Sequence, residues 1–307
     1  MVDEKEEQVI SEKEKRIRAI TLMYYSRPEI QKEIFKFSTS REIVPRFFEG
    51  FGKRPDSLQY ESDVFQLAKK GATSFHCSEE IWEDPMQLST QLSKQELDKL
   101  RKGWDLLIDI DSKYIDYSKI TAELIIRTLE YHGVKNISIK FSGSKGFHIL
   151  VPWKALPEEV NGVKTSLMFP ELPRIIVSYL HEKIKPLLEK RINQLDLPNK
   201  YITKNPDALK EVMPDLVLVS SRHLFRAPYS LHEKTALASV VLDKEELKNF
   251  DPLQANPMKI KIKSFIPNSI PNETKELILE ALDWYAQESK KEKPQQSGER
   301  KTEYAEI

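Results

Sequence analysis

Apolar residues along this chain fall first at helical spacing, then in short continuous runs separated by polar turns, then at helical spacing again. Up to about Phe37, the positions Ile17, Ile20, Leu22 and Tyr24 predict one or two helices, broken at Pro28. The stretch from Arg41 to Asp63, with REIVPRFFEGFGKRPD, reads as loop-rich. SKQELDKLRKG reads as an exposed helix stopped by Gly103. The pattern then becomes α/β. WDLLIDI is a short strand, Ser118 caps a helix through ITAELIIRTLEYH that Gly133 ends, and NISIKF and GFHILVPW are strands on either side of SGSK. Leu172 to Gln194 is helical with a kink expected at Pro186, and LVLV and ALASVVL are strands flanking SSRHLFRAPYSLHEKT. KIKIK from Lys259 alternates like an exposed edge strand blunted by lysine. AQESKKEKPQQSGERKTEYAEI is polar and aperiodic, so a disordered tail is expected over residues 286–307. The remainder, 1–285, reads as one domain, with helices to about residue 37 and a core from about residue 38. Its class is α/β (α+β), a mixed twisted sheet flanked by helices.

Composition narrows the partners. Lys plus Arg and Asp plus Glu stand at 48 each, so no global field draws the chain to nucleic acid or anionic lipid, and phosphate binding must be local. Charged residues make up 31%, above the usual share of about 25%, which implies a Lys/Glu-rich surface. Cys77 is the single cysteine, which excludes an internal disulfide and a zinc site built mainly on thiolates. No apolar run approaches a membrane span, and MVDEKEEQVISEKEKR lacks the apolar core of a signal peptide. The expectation is a soluble cytoplasmic protein with no membrane partner.

Three segments carry candidate chemistry. Asp109 and Asp111 lie two apart at the end of LLIDID, so on a strand both carboxylates share a face and offer hard oxygen donors to Mg²⁺ or Mn²⁺. For such a pair taken alone, a strand-terminal turn with solvated acids is the favoured reading. FSGSKGFHI places a glycine turn between two strands, where backbone N–H groups, the Ser142 and Ser144 hydroxyls and the Lys145 ammonium suit an anion. If Phe147 packs inward, His148 faces the other side; an ordinary hairpin with a structural histidine remains the alternative. SSRHLFRAPYSLH gathers arginines, histidines and hydroxyls, with Arg226 offering a planar fork for phosphate and His232 a donor, against the alternative of a polar surface loop.

In this order, LLIDID, FSGSKGFHI and HLFRAPYSLHEKT resemble the catalytic (small) subunit of archaeal and eukaryotic DNA primase, within the archaeo-eukaryotic primase-polymerase superfamily. RE at Arg41 and Glu42 and TSFHCSEE add weaker support, and the resemblance spans roughly Arg41 to Leu242. It implies nucleotidyl transfer with two divalent ions, Mg²⁺ or Mn²⁺, held by Asp109, Asp111 and a third carboxylate. Asp215 is the acid in reach for that third place, one residue closer to Arg226 than the family pattern. Ser142, Lys145, Gly146 and His148 would match the nucleotide-phosphate turn, and Arg226, Ser230 and His232 the second segment contacting triphosphate and sugar. The zinc module usual in the family is absent, so no zinc is expected. Implied partners are nucleoside triphosphates, a single-stranded DNA template and a primase large subunit, with Arg46, Lys53 and Arg54 as candidate template contacts. A stand-alone primase-polymerase and a non-catalytic nucleic-acid-binding paralogue are the competing readings.

Overall fold

The computed structural model describes residues 11–112, 114–194 and 220–291. The N-terminal pattern forms α1 (Glu12–Tyr25), capped by the Ser11 hydroxyl, and α2 (Pro28–Ser38), which buries Ile30, Ile34 and Phe37 on one stripe. The loop-rich stretch that follows contains a strand, β1 (Ile43–Arg46), and after it come α3 (Asp63–Lys69) and β2 (Ser74–Ser78). IVPR is too short to show a period, so its pairing with β2, Ile43 opposite Cys77, is what makes it a strand. A short β3 (Glu80–Trp82) precedes α4 (Lys94–Leu100), which opens on a Ser93–Glu96 capping box.

Gly103 does not stop α4. The chain passes directly into β4 (Arg101–Trp104), which pairs with β3, and Gly103 lies beneath the Trp153 indole, where a Cβ would sit 2.4 Å from the ring. β5 (Leu106–Ile110) leads to α5 (Ile115–Tyr131), which begins ahead of Ser118; that serine is buried within the helix. Tyr114 occupies the cap position instead, and the expected stop holds, with Gly133 left-handed at φ 82°. β6 (Ser138–Phe141) and β7 (Phe147–Val151) follow as the sequence predicts, then the small pair β8 (Glu159–Val160) and β9 (Val163–Lys164). α6 (Glu171–Asn193) contains Pro186.

Beyond residue 219, β10 (Leu224–Arg226), β11 (Val241–Leu242), α7 (Lys244–Leu247) and α8 (Lys275–Lys291) complete the described chain. ALASVVL thus contributes a strand of only Val241 and Leu242, and LVLV lies outside the described residues. KIKIK is irregular rather than a strand, although Ile260 is buried between exposed neighbours. α8 continues to Lys291, past the expected start of the tail at Ala286; residues 292–307 lie outside the described residues.

The α/β class is as the sequence indicates. Among the described residues every strand pairing is antiparallel, and the strands divide between two main sheets, in the orders β11-β6-β7-β5 and β1-β2-β10. On β5 the residues Leu106, Ile108 and Ile110 point to one face and Leu107 and Asp109 to the other. Helix α5 packs on β5 and β7, α6 on α5, and α8 on α6. Phe225 of β10 approaches the opposite layer at His148, with ring centroids 5.7 Å apart, so the two sheets meet where the acid strand ends.

Candidate active site

Strand register builds the centre of the site. Asp109 on β5 pairs opposite His148 on β7, and His148 pairs opposite Lys140 on β6, so three polar side chains line up across three apolar strands. Lys140 Nζ lies 2.7 Å from His148 Nδ1 and 2.9 Å from Ser239 Oγ, and His148 Nε2 lies 3.3 Å from Asp109 Oδ1. The lysine nitrogen donates to Nδ1, which leaves the ring proton on Nε2, directed at Asp109. Ser239 donates its own hydroxyl proton to the Phe141 carbonyl at 2.6 Å. Burial, together with the Lys140 charge, pulls the His148 pKa down to about 4, so the ring is neutral near pH 7. Burial by itself would raise the Asp109 pKa; the His148 and Lys140 side chains outweigh it and hold the carboxyl below the usual range. Burial likewise pushes the fully buried Lys140 well below the ordinary lysine value.

The glycine turn explains itself sterically. Gly143 has φ 100°, and a Cβ there would come 2.8 Å from His232 Cβ. Gly146 is pressed against the end of β5, where a Cβ would meet the Ile110 carbonyl oxygen at 2.3 Å. The two glycines let the turn lie between Asp111 and His232. Ser142 closes it, its N–H donating to the Gly146 carbonyl at 2.9 Å and its Oγ accepting from Gly146 N–H at 3.2 Å. Phe147 does pack inward, in a cluster with Phe141 and Phe250, and His148 takes the opposite face.

Arg226 ties the two motifs together. Its guanidinium donates to the Ser142 carbonyl at 3.0 Å, the Leu231 carbonyl at 2.8 Å and Glu233 Oε2 at 2.8 Å, and it is almost fully buried. His232 Nδ1 accepts from the backbone N–H of Lys234 at 3.2 Å, and burial, with Arg226 nearby, lowers its pKa to about 4. The resulting cavity, about 360 Å³, is lined by Asp109, Asp111, Ser142, Ser144, His148 and Arg226, together with His232 and residues absent from the sequence-based site.

Not every expected residue converges there. Ser230 is fully buried, its Oγ accepting the Phe75 N–H at 2.8 Å, and serves the fold behind the cavity. Lys145 is exposed at the tip of the turn. Arg46 stacks on Phe51, 4.9 Å from the ring, and lies 3.8 Å from Glu233. Arg54 is committed to Glu42 through bonds of 2.9 and 2.8 Å, while Lys53 is exposed. Asp215 lies outside the described residues. Among the described residues, no group of three His, Cys, Asp or Glu side chains is placed to hold a metal ion. Asp109 and Asp111 are the two carboxylates that line the cavity.

Sequence reasoning misses Phe51, His76, His223 and Phe225 in the lining and Lys140 beneath it. Lys140 is within reach of a stricter reading, because a lysine in the apolar strand SIKF falls, by alternation and register, on the face of His148. His76 offers no such signal.

A mixed α/β domain brings its acid-bearing strand, glycine turn and arginine–histidine segment to one cavity, and these are the segments whose sequence resembles the archaeo-eukaryotic primase-polymerase superfamily. More particularly, residues 108–243 match the family described as DNA primase small subunit, so the resemblance carried by the three motifs is borne out over the segment that holds them. The chain is 29% identical over 187 residues to the DNA primase small subunit PriS of Pyrobaculum calidifontis, a match covering 50% of this chain and 57% of that protein. It is 23% identical over 304 residues to PriS of Thermoplasma volcanium, covering 87% and 89% of the two chains. An uncharacterized protein of Methanocaldococcus jannaschii is 26% identical over 221 residues, and there the match covers 70% of this chain and 45% of the relative's length. The chain thus spans about half the length of several curated relatives it matches. Among solved structures, the polymerase domain from Mycobacterium tuberculosis ligase D in complex with DNA is similar at 15% identity and a TM-score of 0.47, over 87% of this chain and 89% of that one.

Proposed function

We propose that this chain is a nucleotidyltransferase of the primase type, joining nucleoside triphosphates into short primers on a single-stranded DNA template. The observation that carries this reading is the convergence of Asp109 and Asp111, Ser142 and Ser144, His148, Arg226 and His232, from three separated motifs, on one cavity. A triphosphate needs anchoring donors on one side and charge neutralisation on the other, and that is the division between the serine, arginine and histidine groups and the paired acids.

The two acids suit Mg²⁺ or Mn²⁺ by donor chemistry, being hard oxygens at one strand end, and they would hold the ions together with Asp215 as third carboxylate. When bound, the ions supply neutralisation of phosphate charge and a more acidic primer hydroxyl. The chain's own groups do the positioning. His148 holds Asp109 through Nε2 while Lys140 holds His148, so the carboxylate is oriented before any ligand arrives. Three of Arg226's five N–H groups are engaged, leaving two, and its positive charge, beside the turn. Ser142 and Ser144 line the cavity, and Lys145 is exposed at the tip of the same turn. Arg46 and Lys53 are the cations left to guide a template strand, and a large subunit is the expected partner.

The test is incorporation of labelled nucleoside triphosphates on single-stranded template with Mg²⁺ or Mn²⁺, with and without a primer. Wild-type product that disappears in Asp109→Ala/Asp111→Ala supports the chemistry, and product without primer makes it priming. Activity that survives the double substitution refutes the site.

A further inference from the structure

His223 reaches the same cavity from a part of the chain that neither the acid pair nor the glycine turn involves. Its ring is turned so that Nδ1 faces inward, where it is buried without a hydrogen-bond partner among the described residues and lies 3.5 Å from Oε1 of Glu79. Glu79 is itself fully buried, and neither of its carboxylate oxygens has a hydrogen-bond partner among the described residues. A carboxylate removed from water is costly unless a cation or donor faces it, and the His223 imidazole is the group paired with it here.

The turn that carries His223 is pinned on its other side as well. Arg222 adopts the left-handed conformation at φ 60°, its backbone N–H donates to Glu80, and its guanidinium donates to Glu42 Oε1 at 2.9 Å. Glu42, Glu79 and Glu80 are all fully buried beside the β1-β2-β10 sheet. Three buried acids therefore hold two successive residues, and the product of that anchoring is a histidine that lines the cavity together with Asp109 and Arg226, with Nε2 as the ring nitrogen not turned to Glu79. A surface turn with no function at its tip has no need of such fixing.

We propose that His223 is a further substrate-contacting residue, donating from Nε2–H to a phosphate oxygen of the bound nucleotide, with Glu79 as its positioning residue on Nδ1. This rests on the nucleotide reading of the cavity. Ligand binding on the cavity side draws the ring into place, and the 3.5 Å gap to Glu79 shortens.

The test uses the full chain and three probes: a non-hydrolysable nucleoside triphosphate, the corresponding nucleoside, and labelled incorporation. His223→Gln should weaken triphosphate binding at least about ten-fold and leave nucleoside affinity within about two-fold of wild type. Glu79→Gln should lose a similar factor, and the double variant no more than the larger single loss. In wild type, the nitrogen-15 signals of the His223 ring should shift once triphosphate is saturating, a readout that needs no variant to fold. Wild-type triphosphate affinity in His223→Gln, or a His223 signal unmoved at saturation, overturns the assignment while leaving the nucleotide reading intact. Wild-type protein that neither binds triphosphate nor incorporates it overturns both.

Discussion

Gly146→Ala is the substitution on which the geometry speaks most directly. The added Cβ would lie 2.3 Å from the Ile110 carbonyl oxygen and 3.3 Å from both Cα and Oδ1 of Asp111. The first contact is about 1 Å short of an ordinary van der Waals separation, and its partner is backbone, so no rotamer change relieves it. Ile110 is paired to Phe147 and Asp109 to His148, which leaves Asp111, beyond the end of the ladder, as the part able to give way. Overpacking of this kind costs about 1–3 kcal/mol in stability. A displacement of about 1 Å at a reacting group costs on the order of 100-fold in rate. Gly133→Ala provides the control, since φ there is 82° but nothing lies within 4 Å of the added Cβ. It should lose a comparable ~1–2 kcal/mol from backbone strain alone. Urea denaturation of both variants, alongside nucleotide incorporation, separates the effects: similar stabilities, with activity lost only in Gly146→Ala. If Gly146→Ala incorporates nucleotide at the rate of Gly133→Ala, the turn does not position Asp111 and the reasoning fails.

Arg41→Leu should be among the most destabilising changes outside the cavity, at about 3–5 kcal/mol, because it strands the buried Asp105 carboxylate and removes donors to the Phe37, Ser78 and Glu79 carbonyls. Chemical denaturation measures it, and a loss under about 1 kcal/mol would contradict the burial described. His232 gives a pH dependence. Its folded pKa of about 4 lies below the ordinary 6.5, so between those values the unfolded chain binds a proton that the folded chain refuses. Stability therefore rises with pH across that window, and His232→Gln should flatten the slope in melts run from about pH 4 to 7; an unchanged slope counts against the buried, Arg226-flanked ring.

Much of the site could be read from local pattern, because a strand's period of two decides which side chains share a face without knowledge of the rest of the fold. The shared face of the LLIDID acids and the opposition of Phe147 and His148 follow from that rule alone, whereas the inward side of Phe147 and the place of Lys140 beside His148 needed the packing and the strand register. The errors also have local causes. Ser118 and Gly103 are residue types that cap and stop helices, but tertiary packing overrode both: Ser118 is buried one turn into α5, and the Trp153 indole covers Gly103. IVPR shows no periodic signal at four residues and becomes a strand through its partner β2.

The order and identity of the three motifs, the α/β class and the absence of any cysteine framework were determined by the sequence itself, since composition and short-range alternation are properties of the chain. Which loops meet was decided only in three dimensions. Arg226 sits on a three-residue strand that no periodicity could orient. Its place against the Ser142 carbonyl follows from the pairing of β10 with β2, where Leu224 stands opposite Ser78 and Arg226 opposite His76, residues far apart along the chain. The same meeting brings His76 and His223 to the cavity and buries Glu79 behind it. Sequence spacing carries no record of such contacts, because their free energy comes from surfaces that exist only after both sheets have formed.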